Sequence, residues 1–184
     1  MFNSIHFMKK LLFIFSFLFL SFVGYSQIGV RISPSISWTQ VKILGLSNSS
    51  GSNFGTTIGV MYKAGVADRI AVQPSLSFGM IFVDGESASA LGLGADVKYY
   101  LADDLQGFNV YVGPVLGYSL EEASEDVNKL GLGFSLGLGY DIDNIQVGLG
   151  LVWGISNAFN DMDGWEDLLS AKARSVGVSI AYLF

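Results

Sequence analysis

From residue 28 onward, bulky apolar residues alternate with small or polar ones. A period of two is the signature of strands whose two faces meet different surroundings. It predicts eight strands, over 28–41, 56–66, 70–82, 89–101, 108–120, 130–141, 145–155 and 173–184. The first presents Ile28, Val30, Ile32, Pro34, Ile36 and Trp38 on one face, and the last presents alternate residues from Val176 to Phe184. Opposite faces carry Ser, Ala, a few polar residues and most of the 23 glycines.

Glycine inside a strand is unfavourable, because it gives up backbone entropy and packs no side chain. The stretch "KLGLGFSLGLGYDIDNIQVGLGLVWGIS", residues 129–156, nevertheless repeats it across two strands joined by an Asp-Asn turn. Small residues are required where side chains converge, as inside a closed barrel of about eight strands. A face in contact with water would instead carry Lys, Glu and Thr. The bulky face therefore points outward into lipid. The expected fold is all-β: an eight-stranded antiparallel up-and-down transmembrane β-barrel.

Connections point the same way. Those after strands two, four and six are short ("ADR", "ADDLQG", "IDN"), whereas 42–55 and 156–172 are long. Short periplasmic turns alternating with longer outer loops are the pattern of outer-membrane barrels. The phrases "PSISW", "PSLSF" and "PVLGY" recur at 40-residue spacing and place Trp38, Phe78 and Tyr118 toward the outer end; "LGLVW" adds Trp153. The returning strands place Tyr62, Tyr99, Tyr140 and Tyr182 toward the inner end. Two opposed rings of amphipathic aromatics suit the two membrane interfaces. The three prolines remove ladder donors, so a bulge or a distorted bond is expected at each.

Composition narrows function. Only 14% of the residues are charged, against roughly 25% in soluble domains. Ten basic against sixteen acidic residues argue against a nucleic-acid partner. Lys9 and Lys10 precede the apolar stretch Leu11–Val23 and the small residues Gly24 and Ser26, the layout of a secretory signal peptide. The expected division is a signal peptide over 1–27, with a possible true start at Met8, and a barrel domain over 28–184. The barrel segment has no His and no Cys, so it cannot build a Ser-His-Asp, Cys-His or His-based zinc site. No enzyme activity and no cofactor are expected. The "GLGLG" runs precede no helix and are not dinucleotide fingerprints.

Arg31, Lys63, Asp96, Lys98 and Asp141 point inward in the periplasmic half, with Gln73, Asn109, Gln146, Tyr100 and Tyr111. They read as a charged plug beneath a small outward-facing vestibule of Ser and Gly, or as a structural network that only neutralises itself. Buried charges must be paired in either case. The acidic runs "EEASED" (Glu121–Asp126) and "DMDGWED" (Asp161–Asp167) read as solvated loops; Asp161, Asp163 and Asp167 are weak candidates for a divalent cation.

The alternating strands and the terminal "VSIAYLF" resemble the small bacterial outer-membrane β-barrel family of porin-family or PorT-like type. That resemblance implies the outer membrane as location and lipid as partner. It also implies that Tyr182 and Phe184 belong to a C-terminal signal read by the outer-membrane assembly machinery. A monomer is expected, with a structural or interaction role through its outer loops and vestibule. A small-solute channel and a soluble lipocalin-like binding barrel are the alternatives.

Overall fold

The computed structural model describes residues 26–43, 46–49, 51–83, 86–121, 128–157 and 169–184. The described strands are β1 (Ser26–Ile43), β2 (Leu46–Ser49), β3 (Asn53–Ala67), β4 (Ile70–Val83), β5 (Glu86–Tyr100), β6 (Gly107–Ser119), β7 (Leu130–Ile142), β8 (Ile145–Gly154) and β9 (Leu169–Leu183). All but β2 follow one another in an antiparallel sheet, which closes through β1 and β9. Closure gives both neighbours to every wall strand over the barrel proper and leaves no edge there.

Each of the eight expected strands is present; those expected over 28–41, 56–66, 89–101 and 173–184 are two to four residues longer. β1 begins at Ser26, inside the segment expected to be removed, and Ser26 pairs with Ala64. The short β2 falls in the expected loop 42–55. It folds back on Gln40–Ile43 of β1, beyond Ser37, where the pairing with β3 ends. Its Ser- and Asn-rich sequence carries no alternation; the exposed edge of β1 supplies its hydrogen bonds. At the same end, β4 and β5 run on to the Val83–Glu86 pair and shorten that connection.

The wall is apolar outside and polar inside. Ile28 is 62% exposed, Phe108 64% and Leu138 58%, while Asp141, Gln73 and Asn109 are fully buried. A soluble binding barrel needs the reverse arrangement, so that alternative is excluded.

The prolines produce gaps rather than bulges. Pairing of β1 with β9 skips Ser33 and Pro34, that of β3 with β4 skips Gln73 and Pro74, and that of β5 with β6 skips Gly113 and Pro114. The register is the same on both sides of each gap. The shift recorded between β3 and β4 lies elsewhere, at Gly65/Ala67 beside the turn.

Candidate functional site

Strand alternation sends Lys63 of β3, Lys98 and Tyr100 of β5, Asn109 of β6, Asp141 of β7 and Gln146 of β8 into the lumen near the short-turn end. They meet at one carboxylate. Asp141 Oδ2 accepts from Tyr100 Oη at 2.7 Å, Gln146 Nε2 at 2.7 Å and Lys63 Nζ at 3.1 Å. Asp141 Oδ1 accepts from Asn109 Nδ2 at 3.0 Å and lies 3.6 Å from Lys98 Nζ. Lys98 also donates to Gln146 Oε1 at 3.0 Å. A buried carboxylate is tolerable only when its oxygens are satisfied in this way.

The cluster is anchored to the β5–β6 turn. Lys63 Nζ donates to the Leu105 carbonyl at 2.8 Å and sits 4.8 Å from the Tyr100 ring centroid. Leu105 has φ 55°, a left-handed conformation uncommon for a non-glycine residue. The buried ammonium fixes the carbonyl of that strained residue. Below it, exposed Arg69 and Asp103 pair across two turns, and the guanidinium holds the Asp103 carboxyl below its ordinary range.

Arg31 and Asp96 form a second, separate cluster. Arg31 Nη1 is 3.8 Å from Asp96 Oδ2, and Arg31 Nη2 donates weakly to Ser75 Oγ at 3.4 Å. The Ser135 hydroxyl reaches Asp96 Oδ1 at 2.5 Å and the Gly113 carbonyl, beside the proline gap, at 3.1 Å. Between the clusters is a space of about 20 Å³, bordered by Arg31, Asp96, Lys98, Tyr111 and Gln146. Arg31 and Asp96 also border a cavity of about 200 Å³ whose walls include Ser33, Ser35, Ser75, Ser77, Ser175 and Ser179. A further space of about 270 Å³ is lined by Ser37, Gly117, Gly131, Gly133, Asn157 and Ala173.

The five charged candidates thus divide into Lys63, Lys98 and Asp141 in one group, and Arg31 and Asp96 in the other. Sequence reasoning missed the Leu105 carbonyl, because no pattern marks a backbone acceptor. It also missed Met61, whose buried Sδ accepts from Gln73 Nε2 at 3.0 Å.

On the outside, Phe78, Tyr118, Trp153, Tyr99, Tyr140 and Tyr182 are exposed; Trp38 and Tyr62 are half-buried. Tyr140 packs edge-on against Phe108 with centroids 4.7 Å apart, and Tyr182 against Phe184 at 5.1 Å. The Phe184 amide donates to the Ile28 carbonyl at 2.7 Å, which ties the terminus to β1. Asp161, Asp163 and Asp167 lie outside the described residues, as does the run after Glu121.

Residues 11–184 match the family model described as "Outer membrane protein beta-barrel domain". None of the curated proteins matches the sequence. Similar solved structures include Neisserial surface protein A, at 12% identity and TM-score 0.49, covering 84% of this chain and 97% of that one. Ail, the attachment invasion locus protein of Yersinia pestis, has 13% identity and TM-score 0.48, covering 85% and 98%. The N-terminal β-barrel domain of Pseudomonas aeruginosa OprF has 16% identity and TM-score 0.45, covering 83% and 97%.

Proposed function

The chain belongs to the outer membrane protein beta-barrel domain family and is a protein of the bacterial outer membrane; from that premise we propose a structural or interaction role with a lumen closed at the periplasmic end. The observation that carries this reading is the Asp141 cluster. Its carboxylate draws together side chains from β3, β5, β6 and β8, and Asp141, Lys63 and Lys98 are each at most 5% exposed. An eight-stranded barrel has an interior just wide enough to be filled by side chains. Arg31 and Asp96 floor a serine-lined vestibule that opens outward, and contact with other molecules falls to the vestibule and outer loops. The protein acts as a monomer, catalyses no reaction, and is delivered by the assembly machinery through the strand ending at Tyr182 and Phe184. The two aromatic rings sit at the two lipid interfaces.

Planar-bilayer conductance of the refolded full chain tests the closed lumen. The expected trace lacks stable open-channel steps. A long-lived channel in the wild type would favour the small-solute channel and overturn the plug.

A further inference from the structure

β9 begins four residues before its expected start at 173, and the extension adds Lys172 to Arg174 on the lipid-facing wall. Outward positions of β9 are even-numbered: Val176, Val178, Ile180 and Tyr182 are all exposed. Lys172 and Arg174 continue that face. The register sets Trp38 of β1 and Trp153 of β8 opposite Arg174 on its two sides. The Arg174 guanidinium lies 4.0 Å from the Trp153 ring centroid. One step further out, Lys172 pairs with Gln40. Among the described residues, neither cation has a carboxylate partner, and Arg174 Nε has no acceptor. Among the described outward strand positions, no other carries a charge, although the protein is net −6.

A cation on the lipid face of a barrel is unfavourable at mid-bilayer and nearly neutral by the interface. Tryptophan flanks of this kind mark the headgroup level. An arginine held over an indole keeps its fork pre-organised for phosphate oxygens, and a lysine above it adds a second charge. We infer that the Trp38–Arg174–Trp153 row, with Lys172 above it, binds the anionic phosphate headgroup of an outer-leaflet lipid. This inference does not depend on whether the lumen is closed.

The test uses the full chain in a Trp165→Phe background, which leaves Trp38 and Trp153 as the emitters. It is reconstituted in phosphatidylcholine vesicles with a minor fraction of dibrominated phosphatidic acid, or of dibrominated phosphatidylcholine as reference. Each basic residue near the headgroups should enrich the anionic quencher on the order of fivefold. The excess quenching should fall with added salt. It should fall several-fold in R174Q/K172Q and persist in R69Q, on the opposite rim. K172Q alone keeps the Arg174–Trp153 stack and should lose part of the excess, which separates charge from packing. Heat-modifiable gel mobility confirms that each variant is folded. Equal quenching by the two brominated lipids, or undiminished enrichment in folded R174Q/K172Q, overturns the proposal. A dimer formed in pure phosphatidylcholine, without anionic enrichment, would assign the patch to a second copy and overturn it as well.

Discussion

A Cβ added at Gly150 would lie 2.4 Å from the Tyr111 hydroxyl, and one added at Gly137 would lie 2.3 Å from the same ring. At Gly139 the collision, at 2.6 Å, is with Asn109. Gly137, Gly139 and Gly150 are therefore the floor on which two β6 side chains lie. Gly150→Ala should lower stability by about 1–2 kcal/mol, despite the entropy that alanine recovers in a strand. Tyr111→Phe removes the colliding oxygen, so the pair should show a favourable coupling of about 1 kcal/mol in a double-mutant cycle by urea unfolding. Additive effects would mean that the ring swings aside. The alternation locates these glycines and even their face. Which side chain overlies them is invisible in it, because Tyr111 lies 26 residues from Gly137 and reaches it only across the β6–β7 pairing.

Pro34, Pro74 and Pro114 recur at equal spacing on the outward face of β1, β4 and β6, which all run toward the long-loop end. Within a strand, residues of one face direct their backbone groups to the same neighbour. All three missing donors consequently face the preceding strand: β9, β3 and β5. A missing donor deletes a bond without adding a residue, so the ladder opens and the register survives. A bulge would have needed an inserted residue. Pro114→Ala restores an N–H while loosening the unfolded chain, two effects of about 1 kcal/mol with opposite sign. Stability should change by less than ~1 kcal/mol, and the new amide should be slow in hydrogen exchange. Fast exchange with a larger loss would show that the gap serves Ser135, which reaches the Gly113 carbonyl there. Element ends were less legible than element positions. β2 and the early start of β9 carry polar residues, and they are strands because β1 offers unpaired backbone groups beside them.

Across the whole barrel, Asp141 couples strands that are not neighbours. Lys63 comes from β3 and Asp141 from β7, half the circumference away. Asp141→Asn leaves two buried ammonium groups without their carboxylate, and removing one partner of such a pair costs about 3–5 kcal/mol. The urea midpoint of the folded barrel should fall accordingly; an unchanged midpoint would mean that water already solvates the lysines. Alternation, glycine placement and loop lengths were sufficient for an outward apolar face and eight antiparallel strands. Lipid outside and a crowded lumen inside impose those patterns residue by residue along each strand. Inward-facing Lys63, Lys98, Asp96 and Asp141 were readable for the same reason. Partner choice in the lumen was not: closure brings four strands to one carboxylate, and the height of a residue in the lumen depends on the register of every strand between. Trp38 likewise reaches Arg174 and Trp153 only because β1 and β9 close the sheet, which joins the two ends of the chain.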